Sequence, residues 1–382
     1  GVTEKEKIDV WMEYIREFHE ATEHVQYAKQ RVEQLVKELK AQQNGTQKPK
    51  KAPPPAEKSR SQAEMKKSKD NVFVQQYFNA GCQHFDKGEF DKAIEYFKQL
   101  LILDPRHVDA YNMRGLAYSE KGQFDQAQRD FTQAISIDPN NSEAYYNRAN
   151  VHLSQKRYGE ATEDVSKAIT INPQDADAHY LRGVAFDAMK DYGRAVKDFS
   201  KAIKLNPQDG SYYYNRGLAY LDRDEAERAI NDFTQAIKLG QKEVPVCLNR
   251  AEAYQRSRKF QEAFNDYSTV LKMEPGNKPA RVQRAHAALM NKDYQHAVED
   301  FSRLIEDDPK DTDLYYKRGT AYYRSGDLDR ALADFDRVRQ AHPRNPEFWL
   351  HLGEIHANKG DYRQAVSCFS EAIKYNPELY DA

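Results

Sequence analysis

The sequence has few cysteines, no long apolar run and almost no net charge. Its 382 residues include only three cysteines, Cys82, Cys247 and Cys368, which lie more than a hundred residues apart. This spacing fits neither a metal site nor a disulfide framework, so we expect small buried side chains. No stretch reaches the roughly 18 consecutive apolar residues of a membrane span, and no signal peptide opens the chain. We therefore expect a cytoplasmic location, with the nucleus as the alternative.

Catalytic motifs are missing as well. The chain has no glycine-rich phosphate loop, no nucleophile elbow, no CxxC pair and no HExxH motif. His19 with His24, and His351 with His356, have five-residue spacing, which does not place two metal ligands on one helix face. A formal net charge of −2 gives no basic field for nucleic acid. The sequence therefore predicts a protein that is not an enzyme, holds no metal or cofactor, and does not bind nucleic acid.

What the sequence does contain is one 34-residue pattern in nine consecutive copies. Repeats 1 to 9 run over 74–107, 108–141, 142–175, 176–209, 210–243, 244–277, 278–311, 312–345 and 346–379. Position 8 is always Gly or Ala, position 20 is always Ala, and position 24 is bulky or branched. Position 32 is Pro except at Gln241, where we expect Gly240 to end the helix instead. A period of this length indicates stacked helical units that bury a core only against their neighbours.

This pattern resembles the tetratricopeptide family, whose repeats carry aromatic, Leu, Gly, Tyr, Ala, Phe and Pro residues at fixed offsets. The resemblance implies an all-α fold in which antiparallel helix pairs stack as a right-handed superhelical solenoid. It also implies that the first helices line the concave groove. We therefore expect a non-catalytic protein-interaction scaffold or adaptor, whose groove binds an extended or helical segment of a partner protein.

An arginine and an aspartate recur together inside the array. Position 7 is Arg and position 23 is Asp in repeats 2 to 8, whereas the first and last repeats have neither. The seven pairs are Arg114 and Asp130, Arg148 and Asp164, Arg182 and Asp198, Arg216 and Asp232, Arg250 and Asp266, Arg284 and Asp300, and Arg318 and Asp334. Because these positions face each other in a hairpin, we expect bidentate, partly buried ion pairs that set the register. The alternative is a basic ladder that captures a ligand.

In this family, positions 2, 5, 6 and 9 of the first helix look into the groove. Position 6 is asparagine in four repeats, as Asn79, Asn147, Asn215 and Asn249. This row is similar to the inner asparagine row of the glycosyltransferase-type superhelix. An asparagine amide both donates and accepts, so such a row can grip the backbone of an extended peptide. The alternative is a plain solvated polar face.

Aromatic and acidic residues accompany the asparagines. Position 5 holds tyrosine in three consecutive repeats, as Tyr146, Tyr180 and Tyr214. Position 2 holds three acids, Asp109, Glu143 and Asp177. The tyrosines offer the anchor surface that is enriched at interfaces, and the acids suit a neutral to basic segment. Position 5 never holds Lys, which the carboxylate clamp of heat-shock co-chaperones requires, so we do not expect binding of a chaperone's acidic C-terminus.

The residues before the array divide into two segments. The apolar residues of the first follow three- and four-residue steps, as Ile8, Trp11, Ile15, Phe18, Val25, Val32, Val36 and Leu39. They predict an amphipathic helix over residues 1–42, which either forms a coiled coil through residues 8–39, as a homodimer or with a partner helix, or folds back on the array. Residues 43–73 are rich in Lys and Pro, and we expect a flexible basic linker there.

Two alternative functions stay open. The chain begins at Gly1 rather than Met, and only five residues follow Pro377, whereas a terminal repeat normally needs a polar capping helix. One alternative is therefore the recognition region of a larger enzyme or co-chaperone whose C-terminal part is missing. The other is a self-assembling structural protein, which the uncapped end and the heptads favour.

Overall fold

The protein is all-helical in the part of the chain that the structure describes. The computed structural model describes residues 57–339, 341 and 344–376, with side chains from residue 71 onward. These ranges form 18 α-helices and no strand. The helices are α1 (Glu57–Asp86), α2 (Phe90–Leu103), α3 (Val108–Glu120), α4 (Phe124–Ile137), α5 (Ser142–Ser154), α6 (Tyr158–Ile171), α7 (Ala176–Ala188), α8 (Tyr192–Leu205), α9 (Gly210–Asp222), α10 (Ala226–Lys238), α11 (Val244–Arg256), α12 (Phe260–Met273), α13 (Lys278–Met290), α14 (Tyr294–Asp307), α15 (Thr312–Ser325), α16 (Leu328–Val338), α17 (Pro346–Asn358) and α18 (Tyr362–Tyr375).

The helices pair as hairpins with the period of the sequence. From repeat 2 onward the first helix begins at position 1 of its repeat, as at Ala176 and Gly210, and the second helix begins at position 17, as at Tyr192. Helix α1 packs against α2, α3 against α4, and the same pairing holds from α7 with α8 to α17 with α18. Each pair is therefore one helix–turn–helix unit.

The chain divides into two compact bodies, Gly1–Val151 and His152–Ala382. In the first body, α2 also packs against α3, so one hairpin supports the next. In the second body, the second helix of each hairpin likewise packs against the first helix of the following one, from α6 with α7 to α16 with α17. Consecutive first helices α7, α9 and α11 also touch each other. Within each body, stability therefore depends on contacts between neighbouring hairpins.

Local sequence signals begin and end the helices. Asp175, the residue before α7, accepts a hydrogen bond from the backbone N of Ala178 at 3.0 Å and so caps the helix. Position 15, in the turn between the two helices, has positive φ in all nine repeats, including non-glycine residues such as Lys190 at 60°. Gly240 has a φ of 104° and follows Leu239, the C-cap residue of α10, and Gln241 N donates to Ala236 O at 3.0 Å. Gly240 therefore ends the helix in the repeat that lacks proline.

The two helices of a hairpin approach each other closely where position 8 is glycine, which has no side chain. A Cβ added at Gly183 would lie 2.6 Å from Cε1 of Phe199, and Phe199 and Ala195 are fully buried. The same close approach joins Gly81 to Phe97, Gly115 to Phe131, Gly217 to Phe233, Gly319 to Phe335 and Gly353 to Phe369. Positions 8, 20 and 24 thus form the centre of each hairpin.

The segment before the repeats differs from the sequence prediction. Helix α1 begins at Glu57, so residues 57–73 of the expected flexible linker are helical and continue into the first helix of repeat 1. The reason is local: these residues contain no Pro or Gly, and ten of the 17 are Lys, Glu, Arg, Gln, Ala or Met, which favour helix. The predicted helix over 1–42, with its proposed dimer contact at 8–39, lies outside the described residues.

Two further features of the described ranges bear on function. No helix there is both long and apolar enough to cross a membrane, and no group of His, Cys, Asp or Glu side chains there is arranged to hold a metal ion. The three cysteines are free thiols, with Cys247 and Cys368 buried and Cys82 half-buried. Burial raises the pKa of the Cys247 thiol, and a neighbouring Asp266 raises it further, so this cysteine is a poor nucleophile.

Candidate functional site

The recurring arginines and aspartates form bidentate ion pairs inside the hairpins. Arg216 Nε donates to Asp232 Oδ2 at 2.7 Å, and Nη2 donates to Oδ1 at 2.8 Å. Two bonds of 2.7–2.8 Å also join Arg114 to Asp130, Arg182 to Asp198, Arg250 to Asp266, Arg284 to Asp300 and Arg318 to Asp334. Arg148 and Asp164 belong to different bodies, so their pairing stays a prediction.

The third nitrogen of the guanidinium reaches the preceding repeat. Arg216 Nη1 donates to Ser200 Oγ at 3.0 Å, and five other arginines make the same bond to a Ser or Thr at position 25 of the repeat before. These bonds join Arg148 to Thr132, Arg182 to Ser166, Arg250 to Thr234, Arg284 to Ser268 and Arg318 to Ser302. Our sequence reasoning missed this partner, although a hydroxyl at position 25 precedes each of these arginines. Arg114 follows Lys98 at position 25, which cannot accept such a bond.

These contacts use most of the donors that each guanidinium offers. Burial alone would lower the pKa of Arg216, but its hydrogen bonds to Asp232 and the charge of that carboxylate raise it overall. The guanidinium also lies 5.8 Å from the ring centres of Tyr213 and Tyr220, within the range of cation–π attraction. With three nitrogens engaged inside the chain, the arginines favour the structural role over capture of a ligand.

We call the surface formed by positions 2, 5, 6 and 9 of the first helices the first-helix face. In the second body, two predicted asparagines on this face bond to two predicted tyrosines of the preceding repeat. Asn215 Nδ2 donates to Tyr180 Oη at 2.9 Å, and Asn249 Nδ2 donates to Tyr214 Oη at 3.0 Å. Tyr212 similarly donates to the carboxylate of Asp177. These bonds tie together the first helices of repeats 4, 5 and 6.

The bonds change what the asparagines can offer to a ligand. Asn215 Nδ2 also donates to the backbone oxygen of Ser211 at 2.9 Å, so its donor side is fully used. Among the described residues no bond reaches Oδ1 of Asn215 or Asn249, which leaves these oxygens as acceptors for a ligand. The rings of Tyr180 and Tyr214 are half-buried. The ring centre of Tyr214 lies 5.9 Å from that of Phe233, and burial raises the pKa of Tyr214.

The predicted residues in the first body lie in different surroundings. Asn79 is exposed and accepts from Gln75 Nε2 at 2.9 Å. Asn147 is only 8% exposed, and its Nδ2 has no partner among the described residues. Tyr146 is half-buried, and Asp109 and Glu143 are exposed at the first turns of α3 and α5. The asparagines therefore do not form one uniform row.

A cleft of about 480 Å³ opens on the first-helix face at repeats 6 and 7 of the second body. Leu248, Pro279 and Ala280 form its aliphatic wall. Its polar lining comes from Asn249, Glu252, Gln255, Tyr267 and Gln283. Sequence reasoning selected only Asn249 among these residues. The signal that could have found the cleft is tyrosine in place of the usual phenylalanine at position 24, because this hydroxyl has to meet a polar partner.

The polar residues of the cleft are linked to one another. Tyr267 is 3% exposed and donates to Gln255 Oε1 at 2.7 Å, and Gln255 Nε2 lies 3.4 Å from Gln283 Oε1. Burial raises the pKa of Tyr267, and the charge of Glu252 raises it further, so the phenol stays protonated. Glu252 Oε1 accepts from Arg256 Nη2 at 2.6 Å. The cleft is thus a polar floor beside an aliphatic wall.

Comparison with known proteins assigns the chain to a family. Family models described as tetratricopeptide repeat or TPR repeat match residues 81–122, 112–176, 176–209, 210–241, 254–319 and 316–374. The chain belongs to the tetratricopeptide-repeat family, which its sequence resembles. Members of this family are generally not catalytic, and the repeats support a role as a protein-interaction scaffold.

Solved structures of other repeat proteins resemble parts of the chain. MamA from Desulfovibrio magneticus is 23% identical, with 45% of this chain and 97% of that chain covered and a TM-score of 0.42. PilF of Pseudomonas aeruginosa is 23% identical over 53% and 92% of the two chains, with a TM-score of 0.45. A tetratricopeptide repeat protein from Parabacteroides merdae is 18% identical over 65% and 99%, with a TM-score of 0.47. None of the curated proteins compared with the sequence matches it significantly.

Proposed function

We propose that this protein is a non-catalytic adaptor that binds an extended or helical segment of a partner protein, neutral to basic in charge. The binding surface is the first-helix face of repeats 4 to 7 in the second body. The observation that carries the proposal is the cleft at repeats 6 and 7, which places acceptor groups and apolar surface side by side. Sites that bind short segments combine these two features.

The rest of this face supports the same function. The bonds from Asn215 to Tyr180 and from Asn249 to Tyr214 fix the first helices relative to one another before a ligand arrives. A preorganised surface loses less conformational entropy on binding than a flexible one. The remaining acceptor oxygens, Oδ1 of Asn215 and Asn249, can then receive backbone N–H groups of an extended segment.

A random peptide library selected on the full chain tests this function, with the contact mapped by photo-crosslinking. A photoreactive residue replaces His286, which is exposed at position 9 of α13, or Glu262, which is exposed on the second helix of repeat 6. We expect selected peptides to crosslink from position 286 and not from position 262. Failure to select any peptide, or crosslinking from 262 alone, would contradict the proposal.

The two alternatives from the sequence stay predictions. Self-assembly through residues 8–39 predicts a dimeric mass by light scattering that becomes monomeric when residues 1–56 are removed. A recognition region of a larger enzyme or co-chaperone predicts a catalytic or chaperone-type domain in the full reading frame.

A further inference from the structure

The cleft lies directly after two equivalent hydrogen bonds between neighbouring repeats. In both, a tyrosine at position 5 accepts a hydrogen bond from an asparagine at position 6 of the next repeat. Tyr180 accepts from Asn215, and Tyr214 accepts from Asn249. The next pair in this series is Leu248 with Gln283. Leucine is shorter than tyrosine, so it fills less space. Because leucine also cannot accept a hydrogen bond, Gln283 Nε2 lacks the partner that Asn215 and Asn249 have. The cleft therefore results from a specific change in the repeat pattern.

The hydrogen bonds already formed in the cleft determine which polar groups can still bond to a ligand. Asn249 Nδ2 gives one N–H to Tyr214, and Gln255 uses Oε1 for Tyr267 and one N–H of Nε2 for Gln283. The acceptors that remain are Oδ1 of Asn249, Oε2 of Glu252 and a lone pair of the Tyr267 hydroxyl. The donors that remain are amide N–H groups of Asn249, Gln255 and Gln283. The acceptors, which include the carboxylate of the cleft, can receive a ligand group that carries several donors.

The charge of the cleft also favours a basic group of the ligand. Glu252 supplies the carboxylate among the lining residues, and its side chain is 45% exposed. Arg256 holds one of its oxygens and is itself turned toward the backbone oxygen of Leu221, at 2.9 Å. An exposed i,i+4 pair of this kind is weak, so it leaves the second carboxylate oxygen able to bind a cation.

Acidic groups continue along the same side of the second body. Asp187 stands at position 12 of α7, the position that Gln255 occupies in the cleft. Its Oδ1 is buried without a partner among the described residues. Asp177 is exposed at the first turn of α7. A segment with basic residues therefore meets complementary charge beyond the cleft as well.

We infer that the cleft at repeats 6 and 7 receives a basic side chain of the partner segment, with arginine preferred over lysine. The aliphatic stem packs on Leu248 and Pro279, and the charged head meets Glu252 and Asn249. Arginine is preferred because its planar head offers five donors to the several acceptors of the cleft, whereas lysine offers three from a single atom. This inference rests on the proposed function, since it names the chemistry that the same face recognises.

A peptide selected on the full chain, as described above, provides the probe. It is resynthesised with Arg, Lys, citrulline or Gln at each basic position, and its dissociation constant is measured by fluorescence anisotropy. Citrulline keeps the shape of arginine and removes its charge. We expect one position at which the change from Arg to citrulline weakens binding about tenfold, as loss of a charge-assisted hydrogen bond does. The change to Lys should weaken binding less than the change to citrulline.

Two protein variants assign this position to the cleft. In Glu252→Gln the difference between Arg and citrulline should fall below about twofold, because the carboxylate that distinguishes them is gone. Glu262→Gln removes the same charge from an exposed site on the second helix of the same repeat and should keep the tenfold difference. Equal far-ultraviolet circular dichroism and melting of the three proteins shows that the fold is intact.

The outcomes separate this inference from the proposed function. Peptides that crosslink from position 286 but carry no preferred basic residue overturn the inference and leave the proposed function standing. A tenfold difference that persists in Glu252→Gln also overturns the inference, because the basic side chain then binds elsewhere. If the library yields no binding peptide, both fail together.

Discussion

Arg216 and Asp232 join the two helices of repeat 5 by two parallel hydrogen bonds, while the third nitrogen of Arg216 binds Ser200 of repeat 4. The side chains are 18% and 8% exposed, so most of this pair is removed from water. One arginine thus stabilises the inside of its own hairpin and its contact with the preceding one. The same arrangement recurs through the array, so its loss in one repeat should destabilise that repeat and its contact with the preceding one.

The first prediction concerns this pair. Arg216→Ala should lower the free energy of unfolding by about 3–5 kcal/mol, because it leaves a buried carboxylate without its partner. Arg228→Ala is the control in the same repeat, since Arg228 pairs with Glu225 at the surface and is 65% exposed. That change should cost less than about 1 kcal/mol. Urea unfolding followed by circular dichroism measures both, and equal costs would show that burial of the pair is unimportant.

The second prediction concerns the closest approach within a hairpin. Gly183→Ala should destabilise the protein by about 1–3 kcal/mol, because the added methyl group would collide with the ring of Phe199. Gly193→Ala makes the same change on the other helix of this repeat, where the nearest atom, Asp191 Oδ1, is 3.8 Å away. There we expect a gain of about 0.4–1 kcal/mol. Thermal melting of both variants measures these changes. If Gly183→Ala did not change the stability, the two helices could move apart at this point at little cost in free energy.

The third prediction concerns the bonds between first helices. Tyr180→Phe and Asn215→Ala should each destabilise the protein, and a double-mutant cycle should give a coupling energy of about 0.5–1.5 kcal/mol. Tyr180→Phe combined with Asn249→Ala is the control cycle, because Asn249 bonds to Tyr214 instead. The control effects should add. Coupling of the same size in both cycles would indicate a general loosening of the array rather than one hydrogen bond.

The fourth prediction concerns pH. Burial raises the pKa of Asp187, and the like charge of Asp222 raises it further. Since the folded pKa lies above the ordinary value, the ionised carboxylate destabilises the fold at neutral pH, and this effect disappears as the pH falls through the raised pKa. Asp187→Asn should therefore raise the melting temperature at pH 7 and leave it unchanged below about pH 4, the ordinary range of aspartate.

Two controls accompany the pH prediction. Asp222→Asn should give a smaller gain at pH 7, because it removes the like charge and leaves Asp187 buried. Glu163→Gln, at an exposed site on α6, should change neither the melting temperature nor its pH dependence. A gain from Asp187→Asn that is equal at pH 4 and pH 7 would exclude ionisation as its cause.

The sequence was informative where structure depends on contacts within one repeat. Small residues at position 8, alanine at position 20 and bulky residues at position 24 predicted the hairpin, and Gly183 does meet Phe199 as this pattern requires. It was misleading for residues 57–73, where nearby prolines suggested a linker although the residues themselves favour helix. The cleft was missed because its lining residues come from two repeats, and only Asn249 among them belongs to a row that the sequence shows.

By itself the sequence determined the 34-residue register and the residues that face each other across a hairpin. These follow from periodicity, because two positions a fixed number of residues apart in one helical pair always have the same relation. Only the tertiary structure decided which side chains meet between repeats. The bonds from Arg216 to Ser200 and from Asn215 to Tyr180, and the cleft beside Leu248, depend on how one hairpin packs on the next. That packing is set by many weak contacts at once, and no single position records it.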